Sequence, residues 1–269
     1  MTDLPDRVLG VPSRLGVTAR FEDGRLELDL EPRPETLHHG VVRASVVSFA
    51  VDAVAGILVD RDPEVWTLTT DMSIRMRPVP APTGLVAVNT TLREGRRSVT
   101  CRVEVTADDG APVAAGAIGF ARVPRRDGAP PKPFVTPETA ASLFDGLPRL
   151  PRPLREEAGI EVVDAAAGVA QVLVTPELRN PAGTLQGAMV ALLAESAAED
   201  LVAARVGRPV VVTDLDLRYL APAPVGPVRT SCRPLGDVPD APVEVELVDT
   251  SSGRLTTLVY ARAVTATPA

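Results

Sequence analysis

The sequence predicts an α+β chain built from two tandem copies of one unit, each an antiparallel sheet wrapped around a single long central helix. Three observations predict it. The segment Thr70-Asp71-Met72-Ser73-Ile74-Arg75 returns as Thr213-Asp214-Leu215-Asp216-Leu217-Arg218. Each copy is followed by a proline-alanine-proline turn that closes on glycine, at residues 80–84 and 222–226. Each is preceded, in the same order, by one long alanine-rich apolar segment that reads as a helix. Agreement in order, spacing and local motif marks an internal duplication.

The elements follow from the residues in turn. Residues 15–21 and 25–30 form a hairpin around Glu22-Asp23-Gly24. Gly40 opens a helix that ends near Asp60. Strands follow at 66–76, 85–94, 98–107 and 113–123, with turn residues at 77–84, Gly95-Arg96-Arg97 and Asp108-Asp109-Gly110. The second copy has strands at 160–163 and 169–174, a loop carrying Asn180 and a helix from Gly187 to about Val206. Its remaining strands lie at 210–220, 227–235, 242–248 and 254–264. The stretch from Pro124 to Pro133 is proline-rich, charged and poor in large apolar residues, the composition of a linker. The expected division is repeat 1 at 1–123, linker at 124–153 and repeat 2 at 154–269. A helix apolar around much of its circumference needs wrapping, and long strands with one apolar face supply the wrap.

Composition excludes several classes. A net charge of −7 argues against a general nucleic-acid binder, which needs a basic face. Cys101 and Cys232 have no metal-ligand spacing and read as free thiols of a reducing compartment. The two histidines, His38 and His39, are adjacent, so no histidine-rich metal cluster forms, and no metal or redox cofactor is expected. The N-terminus lacks a basic start followed by an apolar run, and no apolar stretch is long enough to span a bilayer. A cytoplasmic protein with no membrane contact is expected.

The most informative chemistry lies in Asn180-Pro-Ala-Gly-Thr-Leu-Gln186-Gly187-Ala188 and the helix after it, where Glu195 stands nine residues past Gln186. A carboxylate on a buried helix face is costly unless a partner or a reaction justifies it. Glycine at a helix start leaves backbone N–H groups open to a developing negative charge. A weaker copy occurs upstream as Leu37-His38-His39-Gly40, followed by an apolar helix with Asp52. The turn Arg93-Glu94-Gly95-Arg96-Arg97 concentrates guanidinium groups able to bind phosphate in bidentate fashion, whereas the matching turn of repeat 2, with Asp237, would repel it. A solvated hairpin tip is the competing reading of those arginines.

Asn180, Gln186-Gly187-Ala188 and Glu195, followed by Thr213-Asp214-Leu215, resemble the acyl-CoA thioesterases of the hotdog superfamily, the phenylacetyl-CoA and 4-hydroxybenzoyl-CoA types most of all. The resemblance covers nearly the whole chain, once per half. It implies hydrolysis of acyl-CoA to free acid and coenzyme A at a site shared between two units. One unit would supply Asn, His or Gln, and the helix-start glycine; the other would supply the acid. The favoured site joins His39 and Gly40 of repeat 1 to Glu195 of repeat 2 as base or nucleophile, with Arg33 at the family's asparagine position. The secondary site joins Asn180, Gln186 and Gly187 to repeat 1, where Ser48 is set against Glu195 and Asp52 against Glu199; Thr213 is a further candidate there. Arg93, Arg96 and Arg97 would hold the coenzyme A phosphates, with coenzyme A present only as part of the substrate. The repeats are expected to pair within one chain, and such chains to dimerise. Two alternatives stay open: a non-catalytic acyl-CoA binding or sensing protein, and a hotdog enoyl-CoA hydratase or dehydratase.

Overall fold

The alternation of apolar and polar residues shapes the sheet directly. In the strand Ser98–Ala107, Val99, Cys101, Val103 and Val105 are buried while the residues between them face solvent. The computed structural model describes residues 10–125, 132 and 135–266. In chain order the first half contains β1 (Val17–Glu22), β2 (Arg25–Leu30), β3 (Leu37–His38), β4 (Val41–Val42) and α1 (Ala44–Val59). It continues with β5 (Val65–Met76), β6 (Leu85–Glu94), β7 (Ser98–Ala107) and β8 (Pro112–Pro124). Two short helices, α2 (Ala141–Phe144) and α3 (Leu154–Glu157), lead into β9 (Glu161–Asp164) and β10 (Val169–Val172). The long helix α4 (Gly187–Val206) precedes β11 (Val210–Tyr219), β12 (Val228–Pro234), β13 (Val243–Asp249) and β14 (Arg254–Thr265).

Twelve strands form one antiparallel sheet in the order β1-β2-β6-β7-β8-β5-β11-β14-β13-β12-β10-β9. Read inward from either edge, the two halves have the same order, and they meet where β5 pairs with β11. That junction is symmetric: Asp214 faces Arg75, Arg218 faces Asp71, and Ser73 faces Asp216 at the centre. Asp71 therefore corresponds to Asp214, and Arg75 to Arg218. Both long helices are buried along most of their length, α1 through residues such as Val47, Val51 and Val54, and α4 through Leu192, Leu193 and Leu201. The sheet approaches α1 closely at Gly116, where an added Cβ would lie 2.9 Å from a Val51 methyl. No helix among the described residues is long and apolar enough to cross a membrane.

One boundary differs from the expectation in a way that moves the chemistry. Gly40 does not open α1. His39 and Gly40 form the turn of a small hairpin between β3 and β4, with φ of 47° and 77°, the left-handed pair a tight hairpin requires. The helix starts four residues later, at Ala44, with Arg43 as its N-cap. Carrying the junction symmetry back along the chain brings Ala44 onto Gly187 and Arg43 onto Gln186, the N-cap of α4. Asp52 and Glu195 then correspond, each the ninth residue of its helix. The alignment of Asp52 with Glu199, and of Ser48 with Glu195, is corrected accordingly; Ser48 is a buried helix residue whose hydroxyl donates to Ala44 O.

Of the proline-rich stretch, residues 126–131 and 133–134 lie outside the described residues. Part of the segment that follows packs onto the first half: the Phe144 ring meets Phe49 edge-on at 6.2 Å, and Ala140 and Leu150 are buried.

Candidate active site

The start of α1 is sealed by an acid from the other half. Glu195 is 1% exposed, and its carboxylate accepts from the backbone N–H groups of Ala44, at 2.8 Å, and Ser45, at 3.3 Å, and from the Ser45 hydroxyl. It thus occupies the donors that an α-helix leaves open at its first turn. Arg43, itself 5% exposed, donates to Glu199 at 3.0 Å and stands 3.8 Å from Glu195. One guanidinium faces two buried carboxylates. Burial, with Glu195 adding to it, pushes Glu199 up to about 8 against the pull of Arg43. His38 lies beside the same cluster, its Nδ1 3.2 Å from Arg43 and its Nε2 3.4 Å from Glu199. Arginine can only donate, so Nδ1 accepts and the imidazole proton sits on Nε2, facing Glu199. Burial and the neighbouring Arg43 bring His38 down to about 3.

The start of α4 has the same frame and the opposite state. Gln186 caps the helix with its own side chain, Oε1 accepting from Ala188 N–H at 2.6 Å. Only the oxygen of the amide can accept there, so the Gln186 amide is oriented and its NH2 end points away from the helix. Among the described residues the Gly187 N–H meets no acceptor. Gln186 and Gly187 are half-buried, in contrast to the closed start of α1. Tyr219, the last residue of β11, lies over this turn and donates to Gly187 O at 3.2 Å. Asp52 approaches from α1: its negative charge, after burial, raises the Tyr219 phenol, and its carboxyl accepts from Thr69 Oγ1 at 2.7 Å. Burial pushes Asp52 above the usual carboxylate range, and the Thr69 hydrogen bond partly opposes that push. By the repeat symmetry Asp52 is the counterpart of Glu195, but it is one methylene shorter and half-buried.

The predicted residues therefore distribute differently from the expectation. Glu195 meets Arg43, Ala44 and Ser45 rather than His39 or Gly40, because the first helix begins past both of them. His39 stacks obliquely on His38 with centroids 4.2 Å apart, and Gly40 O accepts from Ala81 N–H. Arg33 is bound to Glu31 on the surface. Asn180 shapes the loop before α4, its Oδ1 accepting from the N–H and hydroxyl of Thr184 at 3.1 and 3.3 Å. Thr213, like its counterpart Thr70, donates to the aspartate that follows it. Arg93, Arg96 and Arg97 are exposed at the tip between β6 and β7, and among the described residues none of them is ion-paired. The hairpin tip is tied to β8 by Arg122, which donates to Gly95 O at 3.0 Å and to Glu94 at 2.6 Å. Sequence reasoning missed Thr69, Tyr219, Arg43 and His38. Thr69 carried a signal: it directly precedes the repeated Thr-Asp pair, where repeat 2 has Val212.

Residues 182–236, which include Gln186, Gly187 and α4, match the model of the thioesterase superfamily. No curated protein matches the chain. Among solved structures, the tesB protein of Mycobacterium avium subs paratuberculosis superposes with a TM-score of 0.61 at 13% identity, covering 95% of this chain and 97% of that one. An acyl-ACP thioesterase from Bacteroides thetaiotaomicron gives 0.59 at 12% identity, with 88% and 97% covered. A hot dog fold protein of unknown function from Alicyclobacillus acidocaldarius gives 0.57 at 14%, with 97% and 100% covered. The resemblance read from the residues thus holds at two levels: residues 182–236 carry the thioesterase superfamily pattern, and the chain as a whole has the fold of solved hotdog thioesterases.

Proposed function

We propose that the chain is a tandem pair of hotdog units that hydrolyses acyl-CoA thioesters at one site between them, formed by Asp52 of the first unit and the start of α4 in the second. The observation that carries this reading is the contrast between two equivalent helix starts. The Ala44 N–H is taken by Glu195, whereas the Gly187 N–H has no acceptor among the described residues, and Asp52, the counterpart of Glu195, is near enough to Tyr219 over that turn to raise its phenol.

The chemistry follows from the groups present. The ionised Asp52 carboxylate removes a proton from water, and the water oxygen attacks the thioester carbonyl carbon. The carbonyl oxygen becomes an oxyanion that receives the Gly187 N–H and the dipole of α4, with the Gln186 amide as a second donor. Collapse of that adduct breaks the C–S bond, and the proton held on Asp52 passes to the leaving thiolate. A raised Asp52 is a stronger base than an ordinary carboxylate at the same pH. The exposed Arg93, Arg96 and Arg97 provide the positive surface that the phosphates of coenzyme A require. Support for the substrate class comes from those three guanidiniums and from the thioesterase pattern of residues 182–236.

Free-thiol release from a panel of acyl-CoA, acyl-ACP and acyl-pantetheine substrates tests the reading. Turnover of acyl-CoA that Asp52→Asn reduces by three orders of magnitude or more, at unchanged folding, is the expected result. No release from any thioester, or full release by the variant, would refute it.

A further inference from the structure

Tyr219 is one of two tyrosines in the chain, and its hydroxyl acts on the helix turn that the proposed hydrolysis depends on. The peptide joining Gly187 to Ala188 is held at both ends: its oxygen receives the Tyr219 hydroxyl at 3.2 Å, and its N–H reaches Gln186 Oε1 at 2.6 Å. The ring lies close over the glycine, for a Cβ built at Gly187 would stand 3.2 Å from the Tyr219 oxygen and 3.6 Å from Cζ. One peptide earlier comes the Gly187 N–H, the donor left without an acceptor among the described residues. Fixing the Gly187–Ala188 plane fixes ψ at Gly187 and so limits the orientation of the turn that carries this N–H. The corresponding residue at the end of β5 is Met76, 7% exposed and without a hydroxyl, beside the helix start where Glu195 has already taken the equivalent N–H. The hydroxyl thus occurs only where the N–H is open.

We infer that Tyr219 is a positioning residue of the thioester site, its hydroxyl and the Gln186 amide together clamping the first peptide of α4 so that the Gly187 N–H meets the oxyanion. This rests on the hydrolytic reading above. The second backbone-directed bond is independent of helix formation, since the Gly187 oxygen retains a lone pair for the ordinary helical partner.

The experiment is steady-state hydrolysis of one acyl-CoA by wild type, Tyr219→Phe, Tyr219→Leu, Gln186→Leu and the double variant Tyr219→Phe with Gln186→Leu, each checked by thermal unfolding. Loss of the clamp lowers kcat of Tyr219→Phe by about 10-fold with KM unchanged, the pattern of a contact that matters in the transition state. Tyr219→Leu, which also lacks the hydroxyl, loses at least as much. In the double variant the two losses fall short of multiplying, because both act on one peptide. A Tyr219→Phe variant with wild-type kcat, or one changed in KM alone, overturns the role of Tyr219. Asp52→Asn, run in parallel, separates the two claims. If it retains full turnover, the hydrolytic site itself falls; if it is inactive while Tyr219→Phe is unimpaired, only the clamp falls.

Discussion

Asp52 and Glu195 are the ninth residues of two equivalent helices, yet only Glu195 closes on the backbone opposite, accepting from Ala44 and Ser45 while Asp52 accepts from the Thr69 hydroxyl. One acid caps a helix; the other binds a strand hydroxyl. Their substitutions should therefore separate activity from stability. Asp52→Asn removes hydrolysis and leaves the fold in place. Glu195→Gln leaves kcat within a few-fold, but lowers stability by about 3–5 kcal/mol, the usual effect of breaking a buried charged network from one side. Thiol release and denaturant unfolding on both variants decide it, and a Glu195→Gln protein that is stable but inactive would reverse the assignment.

The tip between β6 and β7 tests the substrate handle. Arg93→Ala and Arg97→Ala should each raise KM for acyl-CoA several-fold with little change in kcat, since phosphate contacts far from the carbonyl bind ground and transition states alike. The same variants should be indistinguishable from wild type on acyl-pantetheine, which lacks the nucleotide. Equal losses on both substrates would remove these arginines from coenzyme A binding.

Much of the sheet was legible because period-two alternation and turn residues act locally: the expected 98–107 and 85–94 strands are β7 and β6 residue for residue. The start of α1 was not. A glycine after histidine looks like a helix-start donor, but Gly40 serves a left-handed hairpin turn, and Val41–Val42 extend before the helix begins. Counting back from the duplicated Thr-Asp pair rather than forward from that glycine would have set Asp52 on Glu195. The Arg43–Glu199 bond joins residues 156 apart, so no local pattern could announce it. The pairing of Glu195 with His39 and Gly40 thus failed at its repeat 1 end for one physical reason: a backbone turn took the place of a helix start.

The sealed cluster sets a pH profile for stability. His38, near 3 in the fold against an ordinary value of 6.5, resists a proton that the unfolded chain accepts, so stability falls as pH drops below about 6.5 and continues to fall to about 3. Glu199, near 8 against an ordinary 4.5, keeps a proton that the unfolded chain releases. Its contribution is full below about 4.5 and is lost as pH rises to about 8. The two slopes oppose each other between 4.5 and 6.5, so this cluster gives a plateau there with a decline on either side. Each slope is at most about 1.4 kcal/mol per pH unit. Denaturant midpoints from pH 4 to 9 should show His38→Gln flattening the acid side and Glu199→Gln flattening the alkaline side. Parallel curves for wild type and both variants would show that neither group titrates as described.

Thr69 offers a test of the base through its pH dependence. Burial raises Asp52, and the Thr69 hydroxyl, by stabilising the ionised carboxylate, holds that rise in check. If ionised Asp52 is the base, kcat/KM declines as pH falls through its raised pKa, so the acid limb lies above the usual carboxylate range. Thr69→Val keeps the branched shape and removes the donor, as repeat 2 does naturally with Val212. The carboxylate then loses the stabilising hydrogen bond from Thr69, its pKa rises further, and the acid limb moves to higher pH. Along that limb less of the variant is ionised and its rate is lower; at high pH, where Asp52 is ionised in both proteins, much of the difference disappears. A structural lesion would instead lower the rate at every pH by a constant factor. An acid limb that stays in place, or moves down, in Thr69→Val would remove Asp52 as the titrating base.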